Sequence, residues 1–580
     1  MRHSKQLSMH YFFRLINNLS RLQNNQKIVY FILLACLMLT NTILLFTEQM
    51  NIAARIAFIT IPLGTQMLLL TIRKKPGRIF LILLPKCIID AFQFVLIILY
   101  GGSIIAVDMF LNLVTTSAKE SGELLGNLLP TILFLIITYG IAIYLSIISI
   151  KNSHTLKTKF RKKIYYISTS LLAIGFISLF LAKGFKGGFE IKYDLYPNNV
   201  LYNVDFAIKK YNKIINYPQS SKNFSFNATR KIDINSPTGN QREIYILILG
   251  ETERAANYGK YGYKRNTTKP LDSISNLVCF RDVLSQSNTT HKIVPLIFSA
   301  ADAQNYNLVY KSKSILSAFK EVGFKTYFIT NQEYNKSFMS HYIKEADESV
   351  KLRDIDPNSL DHNLLPYFNK FIEQDTSKNL FFVIHLYGSH FNYYQRYSKK
   401  FKVFTPDKAD YISTKTKTEL VNSYDNSIVS TADLVSQIIK KTDQQNCKSV
   451  VLYLSDHGED IIDDSRHRFL HASPIPTYYQ LHIPFIIWFS KQYKQVNKEK
   501  YNNTYLNKDS AISNNSVFHS LLDFADINTQ YFIPSLSVCS KELKEIEREY
   551  LTDHDGCSKI RELPLHKFDI EQFKKRNIKY

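Results

Sequence analysis

The sequence predicts a two-part architecture: five N-terminal transmembrane helices, followed by an α/β domain with a mostly parallel central sheet and helices on both faces. Five long apolar runs lie before residue 183, and short apolar runs of strand length recur after residue 244. Polar segments suited to helices separate the short runs. We expect a membrane domain over 1–183 with an interfacial loop at 103–125, a linker over 184–240, an α/β domain over 241–545 and a charged tail over 546–580.

The overall composition excludes several classes of protein. The 580 residues have a mean hydropathy of -0.13, so any membrane part must be concentrated in one region. Six cysteines without a CxxC pattern exclude a disulfide-dense scaffold and a cysteine zinc site. The net charge of +23 is compatible with nucleic acid, with anionic lipid or with the cytoplasmic loops of a membrane protein.

The first third of the chain has the pattern of a multi-pass membrane protein. Its apolar runs, each close to the roughly 20 residues that cross a bilayer, cover 28–47, 52–72, 79–100, 126–150 and 165–182. Basic residues concentrate before the first run, between the second and third, and between the fourth and fifth, which predicts a cytoplasmic N-terminus. Five crossings then place the residues after about 183 on the extracytoplasmic side of the membrane, and we expect no nucleic-acid partner.

An ionisable pair lies inside the third apolar run. Lys86 and Asp90 are four residues apart and share one helix face. Ionisable groups at membrane depth are costly and often functional. Two interpretations are open at this point: the pair is functional, or it is a self-neutralising pair that faces the bundle interior.

The α/β domain begins with the first of five short apolar runs. They cover 244–249, 324–329, 380–386, 449–454 and 483–488. Because each run is apolar throughout and flanked by polar segments, it predicts a parallel strand buried on both faces. A further strand is predicted at 278–283, and the charged tail is predicted to be helical.

Polar side chains follow four of these strands. Parallel strands place their carboxyl ends at one edge of the sheet, where ligands bind in open α/β folds. Glu251, Asp456 and His457 would bring two carboxylates and an imidazole to this edge, and His390 and His471 would add two imidazoles. Such groups suit Zn²⁺, and Mn²⁺ less well. Each residue alone also fits an ordinary polar role, and only their joint position predicts a metal site.

The segment 285–291 supplies hydroxyl groups between a predicted strand and an apolar segment. A hydroxyl at a helix N-terminus beside Zn²⁺ can be activated for attack on phosphorus. Asn288 and the threonines of this segment could instead cap the helix. The spacing alone leaves both interpretations open.

With these residues in view, the chain resembles the membrane-bound phosphoethanolamine transferases of Gram-negative bacteria, in the alkaline phosphatase/sulfatase superfamily. The resemblance lies in ILILGETERAANYGKYGYKRNTTKPL (246–271), HLYGSHFNYYQRY (385–397), YLSDHGED (453–460), FLHASP (469–474) and HIPFIIW (482–488). The family has five transmembrane helices before a periplasmic domain, so the resemblance covers nearly the whole chain. It implies a multi-pass protein of the bacterial inner membrane with a periplasmic catalytic domain.

The resemblance also implies roles for individual residues. Glu251, Asp456 and His457 correspond to ligands of one or two zinc ions. Thr290 corresponds to the nucleophile, which also binds the metal. The Val-Pro pair at 294–295 fixes the alignment of this segment with the family. The remaining correspondences are His390 and His471, near the phosphate or a second zinc, and Lys336, in the donor pocket.

The predicted interfacial loop matches the family as well. The loop keeps the family's M-x-x-N spacing and later glutamate at Met109, Asn112 and Glu120. Asn112 and Glu120 correspond to residues that contact the ethanolamine-bearing donor. A carboxylate beside an ammonium group is physically reasonable. The alternative for this loop is an amphipathic helix at the membrane interface.

The implied reaction transfers phosphoethanolamine from phosphatidylethanolamine to an envelope glycolipid, lipid A or lipopolysaccharide core, through a threonine-bound intermediate. Gln286 and Leu296 stand where lipid A-modifying members carry cysteines, so a glucan or protein acceptor is also open. Cys539 and Cys557 could pair. The alternatives are a phosphoglycerol transferase, a sulfatase or phosphatase on the same fold, and a non-catalytic membrane-anchored binding protein.

Overall fold

A computed structural model describes residues 25–48, 50–115, 122, 126, 128–183, 194–230, 241–333, 337–377 and 379–580. The chain divides into two compact units. One consists of Met1–Ala106 with Leu128–Asp205, and the other of Val107–Asn127 with Phe206–Tyr580. The loop predicted at 103–125 is therefore divided between them. The domain boundaries at 183, 240 and 545 stay predictions.

The first unit is helical. Its helices are α1 (Gln26–Thr47), α2 (Ile52–Ile72), α3 (Pro76–Ile82), α4 (Leu84–Tyr100), α6 (Leu129–Lys151) and α7 (Thr158–Lys183). Among the described residues, four of these are long and apolar enough to cross a membrane, namely α1, α2, α6 and residues 158–182 of α7. The bent pair α3 and α4 gives a fifth span if it is counted as one.

The third predicted apolar run is a broken helix. α3 and α4 meet at Leu83 with a bend of 61°. Pro85 lies in the first turn of α4, where its missing N–H costs nothing. Because its ring clashes with the preceding turn, Pro85 cannot continue a straight helix from α3.

Lys86 and Asp90 form a buried ion pair on α4. The Lys86 ammonium donates to Asp90 Oδ2 at 2.6 Å and to the Leu37 carbonyl at 2.8 Å. The Tyr196 hydroxyl donates to Asp90 Oδ1 at 2.6 Å. Each charge is thus compensated inside the first unit, which favours the self-neutralising interpretation.

The second unit contains a seven-stranded sheet. Its strands are β1 (Glu243–Gly250), β2 (Leu277–Phe280), β3 (Lys325–Thr330), β4 (Glu348–Lys351), β5 (Asn379–His385), β6 (Lys448–Ser455) and β7 (Phe485–Phe489), in the spatial order β2-β7-β6-β1-β5-β3-β4. The five strands from β6 to β4 pair in parallel. The predicted α/β fold with a mostly parallel sheet is confirmed.

The direction of β7 differs from the prediction. It pairs antiparallel with both β6 and β2. The chain after β6 stays at the carboxyl edge of the sheet, since the rings of His457 and His471 lie 4.3 Å apart. A strand that starts from that edge must run back, so β7 opposes β6. The strand predicted at 278–283 also differs, because β2 ends at Phe280. Val283–Leu284 forms a separate pair with Ile512–Ser513.

Helices and short hairpins surround the sheet. The helices of seven or more residues among the described residues of this unit are α5 (Val107–Thr115), α9 (Thr290–Phe298), α10 (Ile315–Glu321), α11 (Leu365–Gln374), α12 (Lys417–Asp443), α13 (Lys498–Leu506), α14 (Ser516–Phe524) and α15 (Lys567–Lys575). The helix α8 (Asn198–Ile215) begins in the first unit and ends in the second. Every residue of β1 and β6 is buried, so both faces of the sheet centre are covered. The charged tail contains a hairpin of β8 (Glu549–Leu551) and β9 (Cys557–Lys559) before its single helix α15.

The cysteines are free thiols. Cys539 is buried and Cys557 is exposed, so the pairing left open by the sequence is not formed in this structure.

Candidate active site

Three predicted ligands meet at the carboxyl edge of the sheet. Glu251 directly follows β1, and Asp456 and His457 directly follow the neighbouring strand β6. One ligand atom from each residue lies within 4.8 Å of the others, and all three residues are buried. The strand pairing explains this proximity, because Gly250 and Ser455 are partners in the sheet.

One oxygen of Asp456 marks the cluster as a cation site. Its Oδ1 accepts hydrogen bonds from the backbone N–H groups of Thr252 at 3.0 Å and His457 at 2.7 Å. Its Oδ2 is buried and accepts no hydrogen bond from the described residues. A buried carboxylate oxygen without a donor is costly unless a cation is bound. The two carboxylates and the imidazole therefore fit a divalent ion such as Zn²⁺.

His457 has the protonation pattern of a metal ligand. Its Nδ1 lies 2.9 Å from the Gly458 carbonyl, which can only accept, so Nδ1 carries the proton. Burial lowers the pKa of His457 to about 4, although Asp456 opposes this shift. The imidazole is therefore neutral at pH 7, and Nε2 is unprotonated on the side of Glu251 and Thr290.

The Thr290 hydroxyl lies inside the cluster. Thr290 is the first residue of α9, and its Oγ1 donates to Glu251 Oε1 at 2.8 Å. The same oxygen lies 3.1 Å from His457 Nε2. The capping alternative finds no support, since the N-cap residue Thr289 makes no side-chain cap bond. Asn288 instead donates to the carbonyl of Ser473 and the side chain of Gln480.

Two glycines allow the loops to approach this closely. Gly388 has a φ of +55°, and a Cβ there would lie 2.7 Å from the Glu251 carbonyl oxygen. A Cβ on Gly458 would lie 2.0 Å from the Tyr479 carbonyl oxygen. Gly388 and Gly458 are therefore required by the close packing around the ligands.

His390 and His471 face the same cavity as Thr290. This cavity of about 110 Å³ is also lined by Glu251, Gln332 and Asn112. His471 Nδ1 lies 2.9 Å from Glu459 Oε2, a pairing that orients the ring. His390 Nδ1 lies 2.8 Å from the Phe391 carbonyl, and burial lowers the pKa of His390 to about 4.

Two of the predicted substrate-binding residues, Glu120 and Lys336, lie outside the described residues. Asn112 is on α5 and lines the cavity with Thr290. The structure thus brings seven predicted residues together. They are Asn112, Glu251, Thr290, His390 and His471 around the cavity and, through the metal cluster, Asp456 and His457.

Sequence reasoning did not assign Gln332 to the site. Its side-chain amide donates to Glu251 Oε2 at 3.2 Å and to the Leu386 carbonyl at 2.6 Å. The only signal was its position two residues after β3, in line with the other polar strand endings. Gln332 therefore orients one of the candidate ligands.

Comparisons with known proteins agree with the fold and the cluster. A Sulfatase family model matches residues 243–527. Phosphoethanolamine transferase EptC of Escherichia coli is 26% identical over 325 residues, which are 54% of this chain and 56% of the relative. The chain thus spans about half the length of the curated relatives it matches.

Two solved structures have the same fold. The integral membrane protein lipooligosaccharide phosphoethanolamine transferase A from Neisseria meningitidis matches 88% of this chain and 97% of its own, with a TM-score of 0.67 and 21% identity. The C-terminal periplasmic domain of EcEptC from E. coli, in complex with Zn, matches 58% of this chain and 96% of its own, with a TM-score of 0.53 and 24% identity.

The central sheet, the ligand cluster at its carboxyl edge and the matching family model define a sulfatase-like α/β domain. Among proteins with such a domain, the chain is similar to the phosphoethanolamine transferases EptC and EptA of Escherichia coli. The resemblance inferred from the motifs is thereby confirmed.

Proposed function

We propose that this protein transfers phosphoethanolamine from phosphatidylethanolamine to an envelope glycolipid, lipid A or lipopolysaccharide core, with Thr290 as nucleophile. The observation that carries the proposal is the position of the Thr290 hydroxyl, 2.8 Å from Glu251 Oε1 and 3.1 Å from His457 Nε2. A hydroxyl inside a metal-ligand cluster has no evident structural purpose. It is the arrangement that covalent phosphoryl transfer requires.

Glu251, Asp456, His457 and Thr290 would hold Zn²⁺. When bound, the ion supplies positive charge that makes the hydroxyl more acidic and stabilises charge on the phosphoryl oxygens. The cluster provides for one ion, and His390 and His471 are candidates for a second. Mn²⁺ fits the donor set less well, because one ligand is an imidazole.

The chain's own residues account for the first half-reaction. Thr290 Oγ1 attacks phosphorus, the bond from phosphorus to the diacylglycerol oxygen breaks, and phosphoethanolamine is left on Thr290. The hydroxyl proton leaves toward the Glu251 carboxylate, which already accepts it at Oε1, because the His457 Nε2 lone pair would be occupied by the ion. The diacylglycerol oxygen takes a proton, for which His471, oriented by Glu459, is the candidate donor.

The second half-reaction regenerates the enzyme. A hydroxyl or phosphate of the acceptor attacks phosphorus, the bond to Thr290 Oγ1 breaks, and Thr290 regains its proton. His390 is the candidate base for this step. Its Nδ1 is bonded to a carbonyl and the imidazole is neutral at pH 7, so its Nε2 can accept a proton from the acceptor hydroxyl.

We assign the donor headgroup to the part of the cavity wall that Asn112 forms. Asn112 can accept a hydrogen bond from the ethanolamine ammonium, because α5 brings it to the cavity that contains Thr290. Glu120 and Lys336 are proposed to contact the same donor through its ammonium and phosphate groups. The lipid donor also agrees with a multi-pass chain.

The orientation in the membrane follows from charge. Basic residues on one side of the apolar runs favour a cytoplasmic N-terminus. The second unit would then be periplasmic, where lipopolysaccharide precursors are exposed. The name of the N. meningitidis relative, a lipooligosaccharide phosphoethanolamine transferase, supports a glycolipid acceptor.

The direct test uses the purified full-length protein with labelled phosphatidylethanolamine in mixed micelles. We expect diacylglycerol release and a mass increase of about 123 Da on the peptide that contains Thr290, as attachment of one phosphoethanolamine requires. Thr290→Ala should abolish both while zinc stays bound. Modification with phosphatidylglycerol instead would identify a phosphoglycerol transferase, and cleavage of sulfate esters would identify a sulfatase.

A second measurement addresses the acceptor. Mass spectrometry of lipid A, core oligosaccharide and glucans from cells with and without the gene should show one species that carries the added group. Absence of any modified glycolipid, with donor cleavage intact, would contradict the glycolipid acceptor.

A further inference from the structure

The helix α5 is capped by a residue from the far end of the chain. The carboxylate of Asp553 accepts hydrogen bonds from the backbone N–H groups of Val107 at 2.8 Å and Asp108 at 3.1 Å. First-turn N–H groups have no partner within a helix, and a carboxylate is favoured at this positive end. Asp553 lies in the turn between β8 and β9, so that turn fixes the start of α5.

A buried ion pair joins α5 to the helix that begins with the nucleophile. Asp108 Oδ2 lies 2.7 Å from the Lys292 ammonium, and Asp108 Oδ1 lies 3.0 Å from His291 Nε2. The Asp108 and Lys292 side chains are 8% and 1% exposed. His291 and Lys292 directly follow Thr290, so one carboxylate contacts the two residues of α9 that come after the nucleophile.

The Lys292 ammonium also contacts the turn that caps α5. It donates to the carbonyl of Thr552 at 2.8 Å and to the carbonyl of Asp553 at 3.1 Å. Together with Asp108, these acceptors use all three N–H donors of the ammonium group. One buried cation thus joins α5, α9 and the β8–β9 turn.

The charge of this lysine does not serve the stability of its own helix. A cation in the first turn opposes the helix dipole and destabilises α9. Burial alone would raise the pKa of Asp108, but Lys292 and His291 hold it well below its usual range, so the pair is charged at pH 7. A buried charge pair is a weak source of stability but fixes geometry strongly.

The pair joins the two helices that carry Asn112 and Thr290. Asn112 is one helical turn after Asp108 on α5, and both Asn112 and Thr290 line the same cavity. We propose that Asp108 and Lys292 are positioning residues that hold the ethanolamine-binding wall of the cavity against the nucleophile. This proposal rests on the proposed function for the role of Asn112, but the contacts themselves do not depend on it.

The kinetic test uses Lys292→Met and Asp108→Asn in the full-length protein, with Arg230→Met as a matched control. Arg230 pairs with Glu243 in another buried ion pair, at the opposite end of β1 from Glu251. We expect the KM for p-nitrophenyl phosphoethanolamine to rise between about tenfold and about a hundredfold in the two test variants. Hydrolysis of bis(p-nitrophenyl) phosphate, which lacks ethanolamine, should change less than twofold.

A double variant separates positioning from general damage. Asn112→Ala should give the same increase in KM, and Asn112→Ala combined with Lys292→Met should be no worse than either change alone. Additive losses, or equal losses on both esters, would overturn the proposal. An Arg230→Met control with the same kinetic pattern would also overturn it.

Hydrogen exchange tests the contact without turnover. In the full-length protein, amides of residues 107–115 should exchange at least about tenfold faster in Lys292→Met and Asp553→Ala than in Arg230→Met, because opening of α5 then breaks fewer contacts. Unchanged exchange would overturn the proposal. If the wild-type protein cleaves no ethanolamine ester, the proposed function fails, and the exchange result still decides whether Asp108 and Lys292 hold α5.

Discussion

A single oxygen atom distinguishes this cluster from an ordinary network of buried polar groups. Asp456 presents one oxygen to two backbone N–H groups and the other to no donor among the described residues. His457 complements it, since its proton is held on the carbonyl side and Nε2 faces the cluster. A divalent cation would satisfy both groups at once.

Replacement of Asp456 tests this interpretation. Asp456→Asn keeps the size and the two backbone hydrogen bonds but removes the charge, so we expect zinc affinity to fall by at least about tenfold. Elemental analysis after dialysis against a zinc buffer measures the change. Asp460→Asn is the control, because that buried carboxylate contacts Thr477 and Gln480 instead. Equal zinc content in wild type and Asp456→Asn would remove Asp456 from the ligand set.

Gln332 allows a finer test at the same scale. Gln332→Met keeps the length of the side chain but loses the donor to Glu251 Oε2. Since residues that orient metal ligands are worth about tenfold to about a hundredfold in affinity or activity, we expect a loss of that size in donor cleavage. Steady-state kinetics with labelled phosphatidylethanolamine measure it. Wild-type rates in this variant would show that Glu251 is oriented without Gln332.

At the scale of the element, glycines decide how closely the loops pack. Gly388 approaches the backbone of Glu251 so closely that any side chain would overlap with it, and its φ is positive. Gly262 also has a positive φ, but a Cβ there would meet no atom within 4 Å. A comparison of substitutions at Gly262 and Gly388 therefore separates the energetic cost of backbone strain from that of steric overlap.

We expect Gly262→Ala to cost about 1 kcal/mol in the free energy of unfolding, through backbone strain alone. Gly388→Ala should cost about 1–3 kcal/mol more because of overlap, and should also displace Glu251 and reduce zinc binding. Thermal denaturation and zinc titration of both variants measure these effects. Equal stability of the two variants would contradict the role assigned to Gly388.

The elements also show what the sequence can and cannot predict. Buried strands such as 244–249 and 449–454 were predictable because their apolar runs are local signals, and their polar endings identified the site. The direction of β7 could not be predicted, because it depends on where the chain after β6 lies in space. The break between α3 and α4 has a local cause in Pro85. It was not predicted, because the run is apolar on both sides of the proline.

Contacts between distant segments account for the remaining differences. Asp108 and His291 are 183 residues apart, and Val107 and Asp553 are 446 apart. No periodicity or motif links such positions, so the ion pair beside the nucleophile was invisible in the sequence. The charged tail was predicted only by composition, although its β8–β9 turn contacts both α5 and Lys292.

At the scale of the whole molecule, a bound metal should contribute to stability. A ligand present at 100 times its Kd stabilises the folded state by about 2.7 kcal/mol. We therefore expect removal of zinc by a chelator to lower the Tm of the second unit by about 3 °C. Differential scanning calorimetry of the full-length protein measures this, and Asp456→Asn should show no further decrease with chelator. An unchanged Tm in the wild-type protein would argue against a tightly bound ion.

The cap on α5 has a consequence for the order in which the chain matures. The ribosome makes Val107 long before Asp553, which follows 446 residues later. At about 5–20 residues per second, the start of this helix waits roughly 20 to 90 s for its partner. During that interval the first N–H groups of the helix lack their carboxylate partner, so chains that end before the β8–β9 turn should hold the start of α5 less firmly.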